Sequence, residues 1–170
     1  MEENFNNQGG KGSRLQNPRL IVVRSNGNSG KTTTIWMVFY ELLHRGAIVR
    51  NFLMYNPQST AYPPTMPGLI VSDFEAELEW NGKQIIIFSE GDIKDDVDAL
   101  MTTALAKHPD YIICASRSQY RTNSTWELFE TTYTNLRFER VCFWSEHSTN
   151  IADAICVKQP IVEAILKYIA

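Results

Sequence analysis

Between the apolar run Leu20-Ile21-Val22-Val23 and a helix-forming stretch that starts at Lys31 lies the polar segment Ser25-Asn26-Gly27-Asn28-Ser29-Gly30-Lys31-Thr32. Gly27 and Gly30 supply backbone angles that other residues resist, and such angles turn successive N–H groups inward into an anion cradle. A helix beginning at Lys31 aims its positive end at the same point. The chemistry these residue types suit is the holding of a polyphosphate. Backbone donors from Gly27 to Thr33 would take oxygens, the Lys31 ammonium would reach the terminal phosphates, and the Thr32 hydroxyl would ligate Mg²⁺.

Two further groups are placed to join that chemistry. Ser89-Glu90-Gly91-Asp92 follows the apolar stretch Ile85-Ile86-Ile87-Phe88, and ligands in open α/β sheets collect at the carboxyl ends of strands. Glu90 is the first candidate to steer Mg²⁺ or a nucleophile and Asp92 the second. Asp92 has a competing use as a helix cap, whereas Glu90 has no such structural excuse. Arg117 and Arg121 follow the apolar run Tyr111 to Ala115, where arginines close over phosphates or simply sit solvated on a surface. Asp95, Asp96 and Asp98 read as acids in a helix's first turn, and His44, His108 and His147 lack metal-ligand spacing.

The elements that must position these groups follow from pattern. Leu20 to Val23 is a β-branched run without alternation, the mark of a strand buried on both faces. Lys31 to Arg45 is helical and apolar around most of its circumference, and Gly46 stops it. Ala47 to Tyr55 reads as the next strand, which makes a βαβ unit with parallel strands. Asn56 to Gly68 carries four prolines and reads as a long loop. Phe74, Ala76, Leu78 and Trp80 alternate with Glu75, Glu77 and Glu79, an antiparallel edge strand joined by the Asn81-Gly82 turn to the strand from Gln84 to Phe88. A helix over Asp92 to His108, a strand at Tyr111 to Ala115, a helix from a Ser124/Glu127 capping box to about Tyr133, a strand at Val141 to Trp144 and a helix after Pro160 complete the pattern.

The end Gly30-Lys31-Thr32, between a buried strand and a helix, resembles the Walker A loop of P-loop NTPases, although Ser25 stands where that family carries Gly or Ala. Glu90, after a hydrophobic strand, resembles the Walker B acid. The resemblance implies a three-layer P-loop NTPase-like α/β fold, with a mostly parallel sheet and one antiparallel hairpin strand. It also implies binding of ATP or GTP with Mg²⁺, and hydrolysis or phosphoryl transfer to a small acceptor.

Three subclasses fit in part. The hairpin suits a small regulatory GTPase, but Ser89-Glu90-Gly91-Asp92 stands where that class carries Asp-x-x-Gly, and Cys114-Ala115-Ser116-Arg117 where it carries Asn/Thr-Lys-x-Asp for guanine. Gly30-Lys31-Thr32-Thr33, Arg45-Gly46 and Glu90-Gly91, over Leu20 to Asp92, resemble the molybdopterin-guanine dinucleotide biosynthesis accessory protein B family, which implies a GTP-binding accessory of cofactor biosynthesis. The 56–68 and 116–124 segments suit the closing loops of a small nucleotide kinase. A non-catalytic nucleotide-dependent switch, contacting a protein partner through the 56–68 loop and the tail, is the alternative of a different class.

Composition limits the rest. The 170 residues suit one domain, residues 19–170, behind a polar tail over 1–18 with too few apolar residues to order it. A net charge of −3 argues against nucleic acid as the main partner. There is no run of about 18 apolar residues, which argues against a membrane span. Cys114, Cys142 and Cys156 sit in apolar runs and read as reduced core thiols, in keeping with the cytoplasm.

Overall fold

The computed structural model describes residues 18–26, 30–55, 72–118, 124–133, 140–145 and 151–170. The tail, the proline-rich 56–68 segment, Gly27, Asn28, Ser29, Arg121 and His147 therefore lie outside the described residues. The elements in chain order are β1 (Arg19–Ser25), α1 (Lys31–His44), β2 (Ile48–Met54), β3 (Phe74–Trp80), β4 (Lys83–Phe88), α2 (Lys94–Ala106), β5 (Tyr111–Arg117), α3 (Thr125–Thr131), β6 (Arg140–Trp144) and α4 (Ile151–Ile169).

The strands form one mixed sheet in the order β2-β3-β4-β5-β1-β6. β4, β5, β1 and β6 run parallel, and β3 is antiparallel to both β2 and β4. The apolar runs explain the centre: Leu20 to Val23 and Ile112 to Ala115 are fully buried, because helices cover both faces. Ile21, Val23, Ile85, Ile87 and Ile113 pack under α1 and α4, while Leu20, Val22, Ile86, Phe88 and Ile112 pack under α2 and α3. Alternate side chains thus serve opposite layers, as the period of a strand requires. Trp36 of α1 lies 4.1 Å from the Phe74 ring, centroid to centroid, and its Nε1 donates to the Ser72 carbonyl at 3.0 Å.

Several expectations need correction. Ala47–Tyr55 was expected to form a βαβ unit with β1, its strands parallel. β2 lies at the far edge, with β3, β4 and β5 between it and β1, and pairs with the β3–β4 hairpin. Two successive antiparallel pairings leave β2 running in the same direction as β1, so the parallel orientation stands. β3 is accordingly an inner strand rather than an edge. Its Glu75, Glu77 and Glu79 tolerate that place by meeting Tyr55, Lys107 and Arg50.

The final helix does not wait for Pro160 but starts at Ile151 and carries the proline inside. An interior proline costs roughly 3 kcal/mol. Burial of Val162, Ile165, Leu166 and Ile169 beyond it offsets that cost. α2 begins at Lys94, two residues later than expected, with Asp95 and Asp96 in its first turn. Of the cysteines only Cys114 is in the core; Cys142 and Cys156 are exposed, since β6 is an edge strand and Cys156 falls on the outer side of α4. Among the described residues no helix is long and apolar enough to cross a membrane.

The exit of β4 lies against β5 so closely that a Cβ on Gly91 would fall 2.6 Å from Ala115 Cβ and 2.8 Å from its carbonyl carbon. Backbone cannot yield as a flexible side chain does. Gly91→Ala is therefore expected to destabilise the protein by about 1–3 kcal/mol, read as a lower urea midpoint with an unchanged slope. A midpoint equal to wild type would show that the two strand ends separate freely.

Candidate functional site

The carboxyl ends of the parallel strands β1, β4 and β5 and the start of β3 meet at one edge of the sheet, where Ser25, Ser89, Gly91, Asp92 and Arg117 gather with the start of α1. Gly30 is the N-cap of α1 and adopts the left-handed conformation at φ 74°. It has no side chain to offer, and α1 carries no acid in its first turn. α2 likewise has no side-chain cap but carries Asp95 and Asp96 in its first turn, and at α3 the Ser124 hydroxyl accepts from Glu127 N–H. In the turn ahead of α2 the Glu90 carboxylate accepts from the N–H groups of Asp92 at 2.8 Å and Ile93 at 3.3 Å. The first-turn amides of α1 thus keep their donor capacity for something outside the helix.

Lys31 is buried, with its Nζ 3.3 Å from the Asn26 carbonyl oxygen and 3.4 Å from Asp92 Oδ1. It spans the mouth of the loop and faces the acidic exit of β4. Thr32 Oγ1 donates to Asp73 Oδ1 at 2.9 Å, and Ser89 Oγ donates to the same oxygen at 2.8 Å. Ser89 Oγ in turn accepts from Phe74 N–H. Gly30, Lys31, Thr32, Asp73, Ser89, Gly91 and Asp92 line a cavity of about 100 Å³.

Neither acid caps α2. Glu90, read from sequence as free of structural duty, holds the turn ahead of the helix, its carboxylate accepting from the Asp92 and Ile93 amides, and Asp92 pairs with Lys31. The reason is spacing: the helix starts at Lys94 after the extended N-cap Ile93, so Asp92 stands one residue too early to be the cap. Burial, and then the nearby Asp73 carboxylate, push the Glu90 carboxyl above its ordinary range, against the pull of the Asp92 and Ile93 amides. Burial and the bond to Glu75 hold the Tyr55 phenol well above its usual value, so it stays neutral.

Arg117 lies at the edge expected of it. Its backbone N–H donates to the carbonyl of Gly91 at 3.0 Å and to Thr125 Oγ1 at 2.8 Å, and its side-chain Nε is buried with no hydrogen-bond partner among the described residues. Arg24, one residue before the end of β1, is committed elsewhere: its guanidinium lies 3.7 Å from the Trp126 ring centroid and bonds Ser118 Oγ.

Asp73 is the residue that sequence reasoning missed, and the signal for it was present. The Asn81-Gly82 turn sets a register in which Glu75 pairs with Phe88, so one strand repeat further Asp73 falls beside Glu90. Lys158, buried beneath Gly30, gave no such signal, because the helix was expected to start after it. His44 and His108 lie away from the site, and no group of three His, Cys, Asp or Glu among the described residues is placed to hold a metal ion alone.

No protein-family model, curated protein or solved structure matches this chain. The geometry therefore carries the functional argument alone.

Because its folded-state carboxyl titrates higher than the unfolded one, Glu90 makes the native state bind more protons between the two values. Stability from this group is present below the ordinary carboxylate value of 4.5 and is lost as pH rises through the raised one. Glu90→Gln keeps an oxygen to accept from the Asp92 and Ile93 amides but carries no charge. Its stability relative to wild type is expected to grow as pH is raised from below 4.5 to neutrality, followed by denaturant titration at several pH values. A constant difference across that range would contradict the burial of a charged Glu90.

Proposed function

We propose that this chain binds a nucleoside triphosphate together with Mg²⁺ at the β1–α1 junction, and that this binding serves hydrolysis or phosphoryl transfer to a small acceptor. The observation that carries the reading is the buried Lys31 ammonium beside a helix start that has neither a side-chain cap nor a first-turn acid. A buried cation and converging amides recognise a multiply charged anion. The cavity of about 100 Å³ is well below the roughly 300–1,000 Å³ that encloses a whole small ligand, so it suits the phosphate end of a ligand whose remainder extends outside.

Mg²⁺ fits the oxygens present. It takes hard oxygen ligands, and it is usually held by one or two protein groups plus substrate phosphates rather than by a complete protein cage. Thr32 Oγ1 and Asp73 Oδ1, already within 2.9 Å of each other, would hold it. Asp73 takes the place first given to Glu90, whose carboxylate faces α2, while Asp92 balances Lys31. Bound there, Mg²⁺ would neutralise charge on the phosphates. Lys31 would exchange Asp92 and the Asn26 carbonyl for phosphate oxygens, and the Ser89 hydroxyl would hold the Asp73 carboxylate in place. Arg117 brings a buried Nε donor in want of an acceptor to the same edge, which suits stabilisation of transferring charge.

A second reading, a nucleotide-dependent switch without turnover, is favoured by the Thr32–Asp73 bond. Engaging Thr32 with a metal changes the partner of the residue that leads into β3. Phosphate release separates the two: turnover supports catalysis, and tight binding with no release, with or without acceptors, supports the switch.

A nucleotide panel read by thermal denaturation tests the shared core of both. A triphosphate with Mg²⁺ is expected to raise the apparent midpoint, since ligand at 100 times its Kd adds about 2.7 kcal/mol. Lys31→Ala should abolish the shift while the protein remains folded, and Asp73→Asn should remove its dependence on Mg²⁺. An unchanged shift in Lys31→Ala would overturn the assignment.

A further inference from the structure

Lys158 carries the most deeply buried charge among the described residues, with 1% of its surface exposed. It belongs to α4, which packs beside α1 on one face of the sheet. Its side chain reaches under the loop: a Cβ built on Gly30 would lie 2.6 Å from Lys158 Cε and 2.7 Å from Nζ. The φ of 74° calls for glycine at this position, and the flexible end of the lysine rests against it. Lys158 Nζ lies 3.5 Å from Ser145 Oγ, which is 3.1 Å from Thr34 Oγ1. Thr34 Oγ1 donates to the Gly30 carbonyl at 3.1 Å. A closed path of polar contacts therefore runs from α4 through the end of β6 and the first turn of α1 back to Gly30.

Burying an ammonium is expensive, and placing it at the positive end of a helix adds repulsion. Lys31 and Lys158 both adjoin Gly30, one as the next residue in the chain and one packed against it from α4. A charge so enclosed is screened little by salt, so its field acts at the start of α1, where it attracts an anion.

We propose that Lys158 is a second lysine of the phosphate site, a positioning residue that braces Gly30 from beneath and couples occupancy of the loop to α4. The inference rests on the triphosphate reading above. Lys158→Met keeps the length of the stem and removes the charge; Ser145→Ala keeps the lysine and removes one of its partners. ATP with Mg²⁺ is titrated by calorimetry into wild type and both variants, and hydrogen exchange of α4 is followed with and without the nucleotide.

Wild type is expected to bind and to gain protection at α4 amides. Lys158→Met is expected to bind roughly tenfold more weakly or worse, as loss of one charge-assisted interaction implies, and to lose the nucleotide-induced protection. Ser145→Ala should move both readouts the same way by less. A role in stability alone would lower the melting temperature without altering the α4 response. If wild type binds and Lys158→Met matches it within about twofold, with protection of α4 intact, this inference falls and the triphosphate site stands. If Lys158→Met does not fold, an unchanged affinity and α4 response in Ser145→Ala overturns it. If wild type binds no triphosphate, both fall.

Discussion

The close passage of Gly91 over Ala115 governs how the ends of the central strands meet. Because no side chain intervenes, the Gly91 carbonyl accepts both the Arg117 N–H and the Thr125 hydroxyl, which ties the exit of β4 to the end of β5 and the start of α3. β5 in turn pairs with β1 residue for residue up to Ser25 and Arg117. The loop after β1, the acids after β4 and the arginine of β5 consequently emerge at one level. Were the strands staggered by a residue, each of these side chains would turn to the opposite layer.

The second ordering force is electrostatic. The chain is weakly acidic overall, yet the two buried lysines among its described residues both adjoin Gly30. Opposite them stand Asp73, Glu90 and Asp92, and each is engaged differently. Asp73 is held by two hydroxyls, Glu90 accepts from the amides of Asp92 and Ile93, and Asp92 lies against Lys31. Positive and negative groups meet at this sheet edge, around a small cavity that Lys31, Asp73 and Asp92 line together.

Much of this was legible in the residues themselves. Gly30, Lys31 and the enclosed α1 were predicted from local pattern, and so was the tight turn, where Asn81 and Gly82 both take positive φ. What failed was long-range. A βαβ pattern says that two strands share a direction but not how many strands separate them, and here three strands lie between β2 and β1. Asp73 was overlooked because it precedes its strand, although the hairpin register brings it to the strand exit that had been singled out. Glu90 was given chemistry because no structural use for it was seen, whereas its carboxylate turns back on the Asp92 and Ile93 amides of the turn that leads into α2. Lys158 was lost to a rule that proline starts helices, which holds only where no preceding turn is already packed.

The position of β1 has a consequence for the order of assembly. Its neighbours in the sheet are residues 111–117 and 140–144, so the strand that carries the loop is synthesised first and embedded late. Until β5 emerges, its apolar run Leu20 to Val23 has no partner on either side, while the β3–β4 hairpin closes from local contacts alone. Nascent chains that have not yet reached Tyr111 therefore expose a flat, β-branched segment with free edges, the type of surface that chaperones shield.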